Sequence, residues 1–183
     1  IGSRFFGTLM KAYGTPNITA PSFAQCRGPR DAGFMLTFGE DVGSPERTDI
    51  ANARCLTLIG SHLGENMHNT QVQEFAEAIE NDCHVIVVDP RFSTAASKAK
   101  HYLPIKPGTD MALILAWMNV LVAERMYDHE YIATHGEGFD KFVADIAPWT
   151  PEWAYPITGI APEVIRETAR EMARHRPASL VHP

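Results

Sequence analysis

The sequence predicts an α/β fold in which a parallel β-sheet is flanked by helices. Residues 55–59 and 85–88 are short apolar runs that end at a glycine and at an Asp-Pro pair, as buried strands do. Four apolar residues between them share one face of a predicted helix, namely Val72, Phe75, Ala76 and Ile79. A strand, a helix and a strand at this separation form a right-handed βαβ unit whose two strands are parallel.

Two helix starts can be predicted inside and after this unit. Thr70 is a candidate cap for the helix between the strands. Thr109 or Asp110 would cap a further helix over residues 111–125. That helix is apolar on nearly all sides, which predicts that it is buried between two layers.

The two ends of the chain have different patterns. Residues 1–50, rich in glycine, proline and phenylalanine, predict loops and short helices that pack against a larger body. Residues 135–160 predict an ordered connector, and Pro162 then begins a last helix. The inward face of that helix comprises Val164, Ile165, Thr168, Ala169 and Met172. Residues 179–183 resemble the opening of a strand without a partner, so we expect a segment of a longer protein.

Composition excludes several classes of protein. The chain has 183 residues, of which 45% are apolar and 21% charged, so it can bury a core. Its formal net charge of −6 argues against general nucleic-acid binding, which needs surplus cations. None of the three cysteines forms a Cys-x-x-Cys pair, so we expect no iron–sulfur or zinc-ribbon site within this chain. The longest apolar run, residues 111–123, is too short to span a bilayer.

Two loops that follow the predicted strands suit a nucleotide ligand. Residues 60–66 contain glycines that let the backbone approach a diphosphate, and a helix start can hold an anion. Asp89 could accept hydrogen bonds from ribose hydroxyls, and Arg91 could contact phosphate or stack on a base. Carboxyl ends of parallel strands share one edge, so these loops should lie side by side. Each loop taken alone can also be an ordinary turn.

A third loop, residues 106–110, reads Lys-Pro-Gly-Thr-Asp. A carboxylate at Asp110 could accept two parallel hydrogen bonds from the N1–H and N2–H2 groups of guanine. The cap of the following helix explains the same residues without any ligand, and for this loop alone that interpretation is favoured.

Cys26 is a candidate thiolate because it lies in a loop beside Arg27 and Arg30. Nearby cations lower the pKa of a cysteine, and a thiolate is both a nucleophile and a soft ligand for a redox metal. The two arginines could also attract an oxyanion substrate. The alternative is a buried structural cysteine, which is the interpretation that Cys55 and Cys83 fit, in or next to apolar strands.

In order and spacing, these segments closely resemble the molybdopterin oxidoreductases of the dimethyl sulfoxide reductase family. The resemblance covers nearly the whole chain, and its most specific parts are Asp-Pro-Arg at 89–91 and Pro-Gly-Thr-Asp at 107–110. The matching segments are residues 13–17, 26–28, 58–66, 87–91, 103–110, 127–132 and 149–154.

The resemblance implies a multidomain molybdenum enzyme several times longer than this chain. Such enzymes hold molybdenum, or tungsten in some members, between two pyranopterin guanine dinucleotides. Residues 1–50 would form part of the central metal- and pterin-binding region. Residues 51–140 would form a Rossmann-like dinucleotide-binding region, and residues 141–183 a connector and a helix leading into a truncated next strand.

The resemblance also implies roles for individual residues. Cys26 matches the protein ligand to the metal, and Arg27 is expected to be its catalytic neighbour. The phosphate-contacting loop is matched by Gly60, Ser61, His62 and Glu65. The ribose-side loop is matched by Asp89, Pro90 and Arg91, and the guanine-end loop by Gly108, Thr109 and Asp110. The chain departs from the family at His62, where many relatives have asparagine.

The implied activity is two-electron redox of a small substrate. The surroundings of Cys26 and residues 60–71 look most like the polysulfide, thiosulfate and arsenate reductase branch, which suggests a sulfur or arsenic oxyanion. The implied partners are the rest of the catalytic subunit with a 4Fe–4S cluster, an iron–sulfur electron-transport subunit and a membrane-anchor subunit, on the periplasmic side of the membrane. Nucleic acid is not an expected partner.

Two other interpretations remain open at this point. A metal-free homologue could serve as a scaffold within an electron-transfer complex, although the presence of Cys26 and the dinucleotide loops argues against it. A free-standing dinucleotide-binding module would have to fold alone, and the two cut ends of the chain argue against that.

Overall fold

The computed structural model describes residues 2–17, 28–39, 48–61, 63 and 69–181. The chain divides into two compact units, residues 1–46 and 47–183. Among its described residues, the first unit contains two helices, α1 (Gly2–Tyr13) and α2 (Gly28–Phe38). Both helices expose large apolar side chains, among them Phe5, Tyr13 and Leu36. Such exposure fits the prediction that this segment packs against a larger body.

The second unit contains four strands, six α-helices and one 3₁₀ turn within its described residues. In chain order they are β1 (Cys55–Ile59), α3 (Asn69–Glu80), β2 (His84–Val88), the 3₁₀ turn (Ala96–Lys98), β3 (His101–Leu103), α4 (Asp110–Ala123), α5 (His129–His135), α6 (Phe139–Ile146), α7 (Pro151–Thr158), α8 (Pro162–Arg174) and β4 (Ala178–Val181).

The four strands form one parallel sheet in the order β3-β2-β1-β4. In its register, Cys55 lies opposite both His84 and Ala178, and Ile86 lies opposite His101. The chain starts in the middle at β1, moves outward through β2 and β3, and returns to add β4 on the other side of β1. The predicted α/β class, with a Rossmann-like parallel sheet and flanking helices, is confirmed.

Both faces of the sheet are buried, which explains why β1 and β2 are apolar at nearly every position. Ile86 and Val88 point into a core shared with α4, α7 and α8, where Trp117 and Ile165 are also buried. Val85 and its alternate neighbours point to the opposite core, which α3 covers. The predicted inward face of α8 is confirmed, since its central residues are buried and its flanking ones partly so.

Two predicted features of α3 are wrong. The helix begins at Asn69, so Thr70 lies inside it and is not the cap. Ala76 is exposed, and the buried face is instead centred on Phe75 and Ala78. The pattern misled here because alanine is small enough to be tolerated on either face of a helix.

The chain from residue 135 to the end also differs from its prediction. The expected connector contains α6 and α7. The start of α7 carries an overlooked signal, a Thr150 side chain that accepts a hydrogen bond from the Trp153 N–H, followed by Pro151 at the first helical position. The strand predicted at the end of the chain exists as β4, but it does have a partner, because it pairs with β1.

Among the residues that the structure describes, no helix combines the length and apolarity that crossing a membrane requires.

Candidate functional site

The carboxyl ends of the parallel strands meet at one edge of the sheet, which we call the carboxyl edge. It carries residues 60–61 after β1, 89–91 after β2 and 104–110 after β3. Backbone hydrogen bonds connect each of the first two segments to the last residue of the next strand. The Gly60 N–H donates to the Val88 carbonyl at 2.9 Å, and the Asp89 N–H donates to the Leu103 carbonyl at 3.2 Å. The first two loops therefore lie side by side as predicted, and the third adjoins them.

The segment after β1 lies where the strand order reverses, between β1 and β4. Open α/β sheets bind ligands in the crevice at such a reversal. Gly60 has a φ of +59°, a conformation that glycine adopts without strain. Ser61 is only 2% exposed, and its Oγ has no hydrogen-bond partner among the described residues. A buried hydroxyl in this state favours a ligand at this position, because leaving it unsatisfied costs free energy.

The segment after β2 holds a buried carboxylate at the end of the strand. Asp89 is 3% exposed, and its Oδ1 accepts a hydrogen bond of 2.7 Å from the Arg91 N–H. This local bond fixes the orientation of the carboxylate while Pro90 and Arg91 remain exposed on the surface.

The segment after β3 is a tight turn that leads into α4. Gly108 has a φ of +77°, with Pro107 before it and a hydrogen bond from the Thr109 N–H to the Lys106 carbonyl, as in a type II turn. The Thr109 hydroxyl donates to that same carbonyl at 2.6 Å. A side chain at Gly108 would be strained by this φ but would meet no neighbour within 4 Å. The space beside the turn is therefore open.

The prediction that Thr109 or Asp110 caps the following helix is confirmed for the position of Thr109, but no side-chain hydrogen bond accompanies it. Thr109 occupies the cap position of α4, but its hydroxyl does not cap the helix. Asp110 is the first helical residue, half-buried, and its carboxylate makes no hydrogen bond or ion pair within the described ranges. A side-chain cap of α4 therefore does not explain this acidic residue. Its carboxylate has no partner among the described residues and is available to a ligand.

The end of α7 holds this turn in place. The sequence analysis did not predict this contact. The Lys106 N–H donates to the Thr158 carbonyl at 3.0 Å, and its Nζ donates to the Pro156 carbonyl at 3.1 Å. The cap signal at Thr150 could have indicated the helix, although not its contact with residue 106.

Several predicted site residues cannot be compared with the structure. Cys26, Arg27, His62 and Glu65 lie outside the described residues. Their predicted roles therefore stay predictions.

The other two cysteines fit the structural role predicted for them. Cys55 is fully buried at the start of β1, and Cys83 precedes β2. Burial, and next the proximity of Cys83, raise the pKa of Cys55 to about 12, and burial also raises the pKa of Cys83. Neither thiol lies at the carboxyl edge, and neither is poised to ionise.

A family model described as "Molybdopterin oxidoreductase" matches residues 4–180. The chain belongs to the molybdopterin oxidoreductase family. The match covers both units and includes every predicted site residue, so the resemblance inferred from the sequence is confirmed.

The chain is also similar to individual proteins that carry different names. The chain is 33% identical over 150 residues to F420-dependent formate dehydrogenase 1 subunit alpha of Methanococcus maripaludis, covering 82% of this chain and 22% of that protein. It is 31% identical over 175 residues to thiosulfate reductase molybdopterin-containing subunit PhsA of Salmonella typhimurium, covering 96% of this chain and 22% of that protein.

A solved structure of a further relative supports the fold. Acetylene hydratase from Pelobacter acetylenicus superposes with a TM-score of 0.81 at 31% identity, over 96% of this chain and 24% of that one. The chain thus spans a little less than a quarter of the length of these three relatives.

Proposed function

We propose that this chain is part of the catalytic subunit of a molybdenum or tungsten oxidoreductase. In this proposal, the carboxyl edge holds the guanine nucleotide tail of one of two pyranopterin guanine dinucleotides. Family membership supports the pterin cofactor. The observation that carries the nucleotide proposal is the row of three joined loops, in which the Ser61 hydroxyl and the Asp110 carboxylate have no partner among the described residues.

The order of the loops along the edge matches the order of groups in a nucleotide. Gly60 and Ser61 would contact the diphosphate, Asp89 a ribose hydroxyl, and Asp110 the guanine N1–H and N2–H2. Neighbouring strands are about 4.8 Å apart, so the three segments extend over roughly 10 Å, comparable to the distance from a diphosphate to a base. Because Asp89 is held by the Arg91 N–H and residue 106 is held by α7, two of the three contacts are pre-oriented.

The other residues complete the proposed roles. His62 and Glu65 would extend the phosphate loop, Pro90 and Arg91 the ribose loop, and Gly108 and Thr109 would shape the guanine loop. Cys26 would be the protein ligand to the metal, and Arg27 would attract a negatively charged substrate. When bound, the cofactor supplies two-electron redox chemistry that no side chain can supply alone.

The proposed substrate is a small sulfur or arsenic oxyanion. The similarity to a thiosulfate reductase over nearly the whole chain supports it. A formate dehydrogenase subunit is equally similar over a shorter stretch, so formate is the natural competitor. Turnover of thiosulfate, polysulfide or arsenate by the full-length enzyme is the expected result, whereas turnover of formate alone would overturn the substrate and leave the cofactor proposal intact.

We further propose partners and a location for the complete protein. Two relatives are named as subunits, which supports a multisubunit assembly. The proposed partners are the remainder of the catalytic subunit with its 4Fe–4S cluster, an iron–sulfur electron-transport subunit and a membrane anchor, on the periplasmic side. The competing function is a metal-free scaffold, and elemental analysis showing neither molybdenum nor tungsten in the intact protein would favour it.

The nucleotide proposal is tested by the Asp110→Ala variant of the full-length enzyme. Each charged hydrogen bond to guanine is worth about 1.5–3 kcal/mol, and Asp110 is proposed to accept two, so cofactor affinity should fall by a factor on the order of a hundred or more. Asp140→Ala is the matched control, because Asp140 occupies the first turn of exposed helix α6. The measurements are GMP released by acid hydrolysis and metal per subunit. Equal occupancy in the two variants would show that Asp110 does not bind the cofactor.

A further inference from the structure

A second cluster of ionisable side chains lies at the opposite end of the strands, which we call the amino edge. It comprises His84 at the start of β2, His101 at the start of β3, Lys100 before it, and Glu171 and His175 at the end of α8. Segments far apart in the sequence therefore converge on one carboxylate.

The side-chain nitrogens of this cluster are directed at Glu171. Its Oε2 lies 2.6 Å from the Nδ1 of His84 and 3.0 Å from the Nδ1 of His175. Its Oε1 lies 2.9 Å from the Nζ of Lys100 and 4.0 Å from the Nε2 of His101. The rings of His84 and His175 lie against each other, with centroids 3.9 Å apart.

One atom of the cluster is not accounted for by these contacts. The Nε2 of His101 is buried and has no hydrogen-bond partner in the part of the chain that the structure describes. The side chains of His101 and Glu171 are each only 14% exposed, so water reaches this nitrogen poorly. An unsatisfied buried nitrogen costs free energy, and it faces the same carboxylate as the other two imidazoles.

We propose that the amino edge binds one divalent transition-metal ion of the zinc type. His84, Glu171 and His175 would be three ligands, since one ligand atom from each lies within 4.8 Å of the others. His101 would supply the fourth. Imidazole nitrogens with one carboxylate oxygen are a donor set that suits zinc, whereas calcium and magnesium prefer oxygen ligands alone.

The distances fit a small rearrangement of side chains. Zinc lies about 2.0–2.2 Å from nitrogen and oxygen ligands, which places ligand atoms of a tetrahedral site roughly 3.4 Å apart. The ligand atoms of His84, Glu171 and His175 lie within 4.8 Å of one another, and the closest pair is 2.6 Å apart, so each separation would change by roughly 1 Å when the ion binds. The ion would tie the last turn of α8 to the first residues of β2 and β3, and it would stabilise the fold because the ligands converge only in the folded state.

Lys100 marks the position where a cation is favourable. Its ammonium group contacts both Glu171 and the Nδ1 of His84, the latter at 3.3 Å. Its side chain is 43% exposed and can move into solvent when a metal ion arrives. Lys100 therefore competes with the metal for Glu171. Removing its charge should strengthen metal binding if this is a metal site, whereas an ordinary ion-pair network would gain no metal.

The test is a zinc titration of the full-length protein after treatment with a chelator, in competition with a chromophoric indicator. One equivalent of zinc should be lost in both Glu171→Gln and His175→Ala and retained in the control His129→Ala, which changes an exposed histidine at the first position of α5. Cobalt bound in place of zinc should give the visible spectrum of a tetrahedral site.

Lys100→Met provides a second test that does not depend on the folding of a ligand variant. Removal of one neighbouring positive charge should tighten zinc binding roughly two- to fivefold. Equal stoichiometry in the wild type and Glu171→Gln, or unchanged or weaker binding in Lys100→Met, would overturn the proposal.

Discussion

The two edges of the same sheet differ in whether their polar side chains have hydrogen-bond partners within the protein. At the carboxyl edge, the Ser61 hydroxyl and the Asp110 carboxylate have no partners among the described residues. At the amino edge, Glu171 is shared by Lys100 and His84. Burial alone would raise the pKa of Glu171, but hydrogen bonds from Lys100 and His84 outweigh burial and lower that pKa to about 2.

In the absence of any ligand, this difference separates groups that already have protein partners and stabilise the fold from groups that have none. A carboxylate with several partners contributes to the folded state, and its removal leaves those partners unsatisfied. A half-buried carboxylate without a partner contributes little to folding and can contribute its full interaction to a ligand. Substitutions at the two edges should therefore have opposite profiles, with loss of cofactor at one and loss of stability at the other.

The largest expected effect is on activity. Cys26→Ala in the full-length enzyme should abolish turnover while most of the pterin stays bound, because the resemblance assigns this sulfur to the metal and not to the nucleotide. Cys83→Ala, at the amino edge, is the control and should remain active. Turnover assays and pterin fluorescence after release measure the two quantities. Unchanged turnover in Cys26→Ala would refute the ligand assignment.

The next largest effect is expected on the free energy of unfolding of the cofactor-free full-length protein, when one carboxylate from each edge is replaced. Glu171→Gln should lower the free energy of unfolding by about 1.5–3 kcal/mol, because Lys100 and His84 lose a charged partner. Asp110→Asn should lower it by less than about 1 kcal/mol, because the carboxylate loses only its interaction with the N-terminus of α4. Denaturant titration measures both variants, and equal losses would remove the distinction between the edges.

A smaller loss of unfolding free energy is expected from a substitution in the core between α4 and α8. The Trp117 Nε1 donates to the Thr168 Oγ1 at 2.9 Å inside the layer between α4 and α8. Thr168→Val keeps the shape but leaves the indole N–H unsatisfied, which should cost about 1–2 kcal/mol of unfolding free energy. Thr134→Val, on the exposed surface of α5, should cost less than about 0.5 kcal/mol. A Thr168→Val protein as stable as this control would show that the hydrogen bond contributes nothing.

The smallest effect concerns the reactivity of Cys55. Because Cys55 is fully buried and its pKa is raised to about 12, it should not react with iodoacetamide at pH 8 in the native protein. Peptide mass spectrometry before and after unfolding gives the labelled fraction, and the unfolded protein serves as the positive control. Rapid labelling of the native protein would contradict the buried position at the amino edge.

Much of the fold could be predicted because the strongest elements have strong patterns. Residues 55–59 and 85–88 are apolar at every position except Thr57, and strands of a parallel sheet buried on both faces favour this pattern. β3 was missed because three residues are too few for a periodic signal, and His101 and Tyr102 are not typical of a buried strand. The pairing of β4 with β1 could not be predicted, since it depends on a return of the chain across five helices.

The site was predictable in part for the same reason. A βαβ unit fixes where its two strands end, so the loops at Gly60 and Asp89 could be placed together from the sequence. Placing Asp110 beside them required knowledge of β3, which the sequence did not predict. That its carboxylate has no partner among the described residues could be seen only in the structure. The amino-edge cluster was not predicted, because its histidines are spaced at 84, 101 and 175 and match no metal-binding motif.

A structure of the full-length enzyme with its cofactor would show whether the guanine nucleotide binds at the carboxyl edge. The decisive quantity is the distance from the Asp110 carboxylate to the nearest guanine nitrogens. We expect two contacts of about 2.7–2.9 Å, the length of charge-assisted hydrogen bonds. A nucleotide tail bound elsewhere, with Asp110 facing solvent or another part of the protein, would show that the carboxyl edge is not the nucleotide site.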